Sequence, residues 1–98
     1  MRLDILQVPD CPNVPLLQQR LQEALGDVDV EVTVHVIDDP AAAAQAGMTG
    51  SPTLLVDGID PFAEPGRAAS VSCRLYREAD GRLSGAPSVS QLRQALPS

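Results

Sequence analysis

The sequence feature that most constrains the fold is a run of valines at every second position. From residue 28 to residue 36 every even position is valine, and every odd position is Asp, Glu, Thr or His. Successive side chains of a strand point to opposite faces, so a period of two predicts a β-strand with one apolar and one wet face. We therefore predict a strand over residues 28–37 and place it at the edge of a sheet.

Three more segments are predicted to be strands. Residues 3–8 and 53–56 are short, nearly continuous apolar runs, which is typical of strands buried on both faces. The fourth strand is predicted over residues 74–77, in a stretch where Cys73 and Leu75 alternate with polar or aromatic neighbours. This alternation again indicates an edge strand.

Three helices are predicted between and after these strands. Residues 14–25 carry apolar side chains at intervals of three and four, the spacing of an amphipathic helix. Residues 40–46 start with proline after two aspartates and consist mostly of alanine, a well-capped short helix. A last helix is predicted to begin after a cap at Ser88 or Ser90 and to end at Pro97.

The elements then follow the order βαβαββα, with a long loop over residues 59–70. A strand–helix–strand unit crosses over right-handed and sets its strands parallel, whereas strands joined by a loop can be antiparallel. With the two apolar strands in the centre, this predicts an α/β fold with a four-stranded mixed sheet of order 2-1-3-4, flanked by helices. Because 98 residues supply only one core, residues 1–98 are predicted to form a single domain.

A cysteine and a proline occupy two positions that carry chemistry in a known family. Cys11 stands between the first strand and the first helix, and Ser-Pro-Thr at residues 51–53 precedes the third strand. In these features and in its element order the chain resembles the thioredoxin-like superfamily, whose proline at this position is cis and lies beside the active-site thiol. The usual Cys-x-x-Cys pair is replaced here by Cys-Pro-Asn-Val, with Val14 at the resolving position.

The resemblance implies a thiol–disulfide oxidoreductase or redox protein that acts through Cys11. The partial positive charge at a helix start stabilises the thiolate, which is the nucleophilic form of cysteine. Without a second thiol in the motif, a mixed disulfide must be resolved by another molecule or by Cys73. Ser51 and Pro52 are the predicted substrate-binding residues, since the backbone beside a cis proline can pair with an extended chain.

The position of Cys73 separates the alternatives. If it opens the fourth strand, antiparallel pairing places it about 15 Å from Cys11, at ~3.3 Å per residue. A disulfide needs alpha carbons within ~7 Å, so only a fold-back of residues 59–72 would bring the thiols together. Such a fold-back leaves open a redox couple or a two-thiol soft-metal site of Cys11 and Cys73. A distant resemblance to the thioredoxin-like domains of organomercurial lyases, which use two separated thiols and a carboxylate, adds Asp10 to these two residues. The remaining alternative is a non-catalytic binding or adaptor domain.

Composition limits the partners. A net charge of −6 repels phosphate backbones and anionic lipid, and an aromatic content of 2% leaves little to stack on bases. We therefore expect no nucleic acid and no membrane as partners. No cofactor is expected, and the resemblance implies a thiol- or disulfide-bearing small molecule or protein as partner. The absence of a long apolar stretch predicts a cytoplasmic protein.

Two features of the valine-rich strand remain open at this level. His35 is the only histidine; it is expected to be exposed, and no role is assigned to it. A homodimer through the exposed valine edge is possible, although the acidic residues along it act as protection.

Overall fold

A computed structural model of the chain describes residues 1–96. Its elements, in chain order, are β1 (Arg2–Gln7), α1 (Val14–Leu25), β2 (Glu31–Val36), α2 (Pro40–Ala46), β3 (Thr49–Ser51), β4 (Thr53–Val56), β5 (Ser70–Cys73), β6 (Tyr76–Arg77), β7 (Leu83–Ser84) and α3 (Val89–Ala95). The protein is a small mixed α/β structure. No helix in the part of the chain that the structure describes is long and apolar enough to span a membrane.

The central sheet has three strands in the order β2-β1-β4. β1 pairs in parallel with β2, with Leu3 opposite Val32, and antiparallel with β4, with Ile5 opposite Leu54. The crossover through α1 accounts for the parallel pair. The prediction that residues 3–8 form a central strand and that the valine-rich strand lies at an edge is confirmed for this sheet.

Helices cover both faces of the sheet. On one face α1 and α3 pack over a larger core, formed by Leu3, Ile5, Cys11, Val14, Leu17, Leu21, Leu54, Ala86, Leu92 and Leu96. On the other face α2 packs over a smaller core, formed by Leu6, Ile37, Ala43 and Met48. The three predicted helices are confirmed, and each is stopped or started by a local signal that the sequence carries.

The caps show these local signals. The Asp39 side chain accepts hydrogen bonds at the start of α2, and Gly47 ends that helix in the left-handed conformation. Ser88 forms a reciprocal capping box with Gln91 at the start of α3. Pro97, which was predicted to end α3, lies outside the described residues.

The predicted four-stranded sheet of order 2-1-3-4, and with it the thioredoxin-like α/β fold, is wrong. The chain after β4 turns back through a bridge between Val56 and Ile59, and no strand is added beside β4 in residues 1–96. Instead β5 pairs in parallel with the short β3, and β6 pairs antiparallel with β7. Three separate small sheets replace one continuous sheet.

The prediction of the fourth strand is wrong because the side chains around residue 74 that were expected to be exposed are the ones that are buried. Arg74 and Tyr76 are buried, with 2% and 5% of their surface exposed, whereas Leu75 is 52% exposed. A strand with these two side chains turned inward cannot present Cys73 and Leu75 to the core of the central sheet. The position of this segment is therefore set by the hydrogen-bond partners of Arg74, and the segment does not pair with the edge of β4.

Gly50 permits this packing. Its φ is +118°, and a Cβ built on it would lie 2.7 Å from the Cβ of Arg74 and 3.2 Å from the carbonyl oxygen of Ser72. Only a residue without a Cβ lets β5 and Arg74 approach β3 so closely. Glycine at this position is consequently a requirement of the β3–β5 pairing.

Candidate functional site

Cys11 lies in the loop between β1 and α1, at the end of the larger core. The helix begins at Val14 with Asn13 as its cap, and the Asn13 side chain makes no capping hydrogen bond. Cys11 therefore stands two residues before the cap, and its carbonyl oxygen accepts a 3.4 Å hydrogen bond from the Val14 N–H. The thiol is 7% exposed and packed among apolar residues, so only a small reactant reaches it directly.

Ser51 ends β3, Pro52 lies between β3 and β4, and both residues are buried. The peptide bond between them is cis, which is the form that the resemblance implied. The Ser51 hydroxyl accepts a 3.1 Å hydrogen bond from the Val8 N–H. This bond ties Ser51 to the end of β1, only three residues before Cys11 along the chain.

Cys73 is an exposed free thiol at the end of β5. It is the register partner of Ser51 in the parallel β3–β5 pair, and the next residue donates its N–H to the Ser51 carbonyl oxygen at 3.0 Å. The expectation that Cys73 opens a strand at the far end of the sheet is therefore wrong. The loop folds back and carries Cys73 to the same end of the molecule as Ser51 and the Cys11 loop.

The structure thus brings Ser51, Pro52 and Cys73 into one neighbourhood and joins Cys11 to it through Val8. The two cysteines are both free thiols. The backbone edge of β3, which the sequence suggested for an extended bound chain, is paired here with β5 of the same molecule. Any partner that uses this edge has to displace β5.

Arg74 is the central polar residue of this neighbourhood, and the sequence analysis missed it. Its guanidinium donates to the Asp60 carboxylate at 2.8 Å, to the Thr49 hydroxyl at 3.0 Å and to the Phe62 carbonyl oxygen at 2.7 Å. Its central carbon also lies 4.6 Å from the centre of the Tyr76 ring, a cation–π contact. These bonds fasten the loop that follows β4 to the strand that carries Cys73.

Tyr76 connects the same cluster to Pro52. Its hydroxyl donates to the Pro52 carbonyl oxygen, and its ring meets Phe62 edge to face at 5.6 Å. Burial raises the pKa of Tyr76 well above its ordinary value, although the nearby Arg74 guanidinium acts in the opposite direction. The hydroxyl therefore remains a neutral donor across the physiological pH range.

A second charged cluster joins β1 and β2. Asp4 of β1 accepts from Arg2 at 3.0 Å, and its other oxygen lies 2.8 Å from the Nε2 atom of His35 on β2. The hydrogen bond from His35 is the main cause that lowers the pKa of Asp4, burial opposes it, and Arg2 lowers it further. His35, to which the sequence analysis assigned no role, is thus one of the partners that keep Asp4 ionised.

This second cluster borders an open cavity of about 570 Å³ between the sheet and α2. The signal that could have revealed it is Asp4 itself, an acidic residue inside an otherwise apolar central strand. In a parallel pair, side chains of neighbouring strands on one face lie within reach of each other. An acid in the buried strand therefore needed a partner from β2, and His35 was available.

No group of three or more His, Cys, Asp or Glu side chains converges on a possible metal position in residues 1–96. Asp10, Cys11 and Cys73 therefore form no such three-residue group, whereas the two-thiol site of Cys11 and Cys73 stays a prediction. No protein-family model, no curated protein and no solved structure matches the chain.

Proposed function

We propose that this protein carries out thiol–disulfide exchange with Cys73 and Cys11 as its two thiols. One observation carries the proposal: β5 places Cys73 opposite Ser51, and the Ser51 hydroxyl is hydrogen-bonded to Val8 at the start of the Cys11 loop. An exposed cysteine and a buried one therefore occur at the same end of the molecule.

The difference in exposure assigns an order to the two thiols. Cys73 is exposed, whereas Cys11 is 7% exposed. Access limits the rate of attack on a disulfide, so the Cys73 thiolate meets the partner's disulfide first. Cys11 is protected from large partners and is the resolving thiol.

The reaction proceeds in two balanced exchanges. The Cys73 thiolate attacks one sulfur of the partner's disulfide, forms a mixed disulfide and releases one thiolate. The Cys11 thiolate then attacks the Cys73 sulfur, forms the Cys11–Cys73 disulfide and releases the second thiolate. The protein loses two electrons, and the partner's disulfide is reduced to two thiols.

The second exchange needs the alpha carbons of Cys11 and Cys73 within ~7 Å, and we expect a movement of β5 toward the Cys11 loop to bring them there. The β3–β5 pair is short and irregular in register, so this movement breaks few backbone hydrogen bonds. The proposal includes the cytoplasm as the location of the protein, because the thiols there return the disulfide to the reduced state.

The test uses oxidised glutathione as the disulfide probe and peptide mapping by mass spectrometry as the readout. Wild-type protein is expected to form the Cys11–Cys73 disulfide, with little glutathione retained. The Cys11→Ser variant is expected to accumulate a stable glutathione adduct at Cys73. The Cys73→Ser variant is expected to react much more slowly, because only the buried thiol remains.

Wild-type protein that accumulates the same adduct at Cys73 as the Cys11→Ser variant would contradict the proposal. Circular dichroism of each variant is the control for folding. Serine differs from cysteine only in the side-chain heteroatom, so a change of exchange pattern with an unchanged spectrum reports on the thiols alone.

A further inference from the structure

β2 has one backbone edge that no other strand covers within residues 1–96. The N–H of Glu31 donates to Met1 and the N–H of Ile37 donates to Gln7, both toward β1. Backbone groups alternate in direction along a strand, so the N–H and C=O groups of the even-numbered residues between them point outward. These outward groups belong to Val32, Val34 and Val36.

The side chains of the same three residues are exposed. Val32, Val34 and Val36 are 43%, 40% and 61% exposed, and none of them belongs to the larger core. These valines are left uncovered because α1 packs over β1. An apolar groove of about 280 Å³ runs beside this face, lined by Gln18, Leu21, Gln22, Leu25 and Val32.

We propose that the occupant of this edge is a second copy of the chain, whose β2 pairs antiparallel with the first about a twofold axis at Thr33. Val32 then lies opposite Val34 of the second copy, and Thr33 lies opposite its own equivalent. The valines of both copies meet on the face that adjoins the groove, and the paired edges close into a continuous sheet of twice three strands.

Charge complementarity selects this register. With Thr33 at the axis, Glu31 lies opposite His35 of the second copy, and protonated His35, whose Nε2 atom stays on Asp4, can donate from Nδ1 to the Glu31 carboxylate. Both belong to non-hydrogen-bonded positions, where opposing side chains approach most closely. The acidic residue that was expected to protect the edge therefore has a partner on it.

Two of the neighbouring registers are less favourable. An axis at His35 places two histidines opposite each other and aligns Glu31 with Asp39 of the second copy. An axis at Val34 aligns Val30 with Asp38 of the second copy. Like charges in direct opposition destabilise a strand pair, and an apolar residue opposite an acid contributes no packing.

The interface consists of one strand pair and the adjoining grooves. Its buried area is therefore expected to be small for a protein interface. Each copy also carries a net charge of −6, so repulsion opposes association. We therefore expect a dimer whose population rises with protein concentration, measured by sedimentation in about 0.15 M salt, where the Debye length is about 8 Å.

The first variant removes a single outward donor. Val34→Pro deletes an N–H that points away from β1, and proline is tolerated at such edge positions. The dissociation constant is expected to rise about tenfold or more, with the monomer still folded. A second variant, Val34→Lys, has Val28→Lys as its matched control. Val28 is also exposed, at 54%, but it lies before the strand. Only Val34→Lys is therefore expected to weaken the dimer.

The second experiment reports on the register. In a Cys11→Ser/Cys73→Ser background, Thr33→Cys is expected to form a covalent dimer on mild oxidation, since the two positions are opposite each other. Val34→Cys is expected to crosslink about tenfold less, because its opposite residue is Val32. This background lacks both native thiols, so the result is independent of the proposed exchange reaction.

Equal crosslinking at residues 33 and 34 would overturn the register. A wild-type protein that stays monomeric at all concentrations, or a Val34→Pro variant that associates as the wild type does, would overturn the proposal itself. Unchanged circular dichroism of the monomer excludes loss of folding as the cause.

Discussion

The two charged clusters of this protein contain the same kinds of groups and differ in their access to water. In the cluster around Arg74 the side chains of Arg74 and Asp60 are 1% and 11% exposed. In the cluster around Asp4 the carboxylate is 9% exposed, but its partner His35 is 46% exposed. Water can replace a lost partner in the second cluster and cannot do so in the first.

This difference separates the roles of the two clusters. Arg74 bonds to three residues in two segments that are distant along the chain, Thr49 in β3 and Asp60 and Phe62 in the loop after β4, and it positions the strand that carries Cys73. Asp4 and His35 link two strands that are already paired by their backbones. The buried cluster therefore determines the topology, whereas the half-open cluster adjusts stability with pH.

The largest effect is expected for Arg74→Ala. The substitution leaves the Asp60 carboxylate buried without its cation, which costs about 3–5 kcal/mol of unfolding free energy. Urea unfolding followed by circular dichroism measures this loss. Arg74→Lys is the control because it keeps the charge without the planar fork, and it is expected to lose less. If Arg74→Ala costs under about 1 kcal/mol, the cluster behaves as a surface ion pair, and the comparison fails.

A smaller effect is expected for Gly50→Ala. The added Cβ meets the Cβ of Arg74 at 2.7 Å, at a φ of +118°, and we expect a loss of about 2–3 kcal/mol from strain and displacement. Gly58→Ala is the matched control, since its φ is +85° but nothing lies within 4 Å of the new atom. Equal losses in the two variants would show that the β3–β5 approach contributes nothing beyond backbone strain.

An effect of about 1 kcal/mol is expected for Asp4→Asn, because its partners are partly exposed. The pKa of Asp4 is lowered in the folded protein, so its charge stabilises the fold above the unfolded-state value of about 4. This stabilisation is lost as the pH falls through the folded-state pKa. The difference between wild type and variant, measured by urea unfolding, should be full near neutral pH and vanish in acid.

The smallest effect is expected for Arg82→Gln. Arg82 pairs with Asp80 at 2.8 Å, but the side chains are 83% and 48% exposed. A pair with this much contact with water contributes within about 0.5 kcal/mol. If Arg82→Gln lowers the melting temperature as much as Asp4→Asn does, the exposed fraction of the side chains does not predict how much each ion pair contributes to stability.

The part of the fold that the sequence predicted follows from local periodicity. The three helices and the strands β1, β2 and β4 were predicted within a few residues, because each carries its own period and stop signal. The candidate residues Cys11, Cys73, Ser51 and Pro52 were also visible as residue types. Their mutual arrangement was predicted wrongly for Cys73, which depended on how residues 59–73 return to the sheet.

The buried polar clusters could not be predicted from the hydrophobic pattern of the sequence, because that pattern treats every charged residue as exposed. Arg74 is buried since Asp60, Thr49 and the Phe62 carbonyl supply acceptors from other segments. These partners are 12 to 25 residues away along the chain, and no periodicity links them. The same reason explains why the Asp4–His35 pair was missed.

The amino-acid sequence by itself therefore determined the three helices, the strands β1, β2 and β4, the parallel β1–β2 pair and the exposed valine edge, because hydrophobic period and capping act within a few residues. The tertiary structure alone decided which side of the molecule carries Cys73 and which polar residues are buried. The physical reason is that the cost of burying a charge depends on partners that only the folded chain brings together.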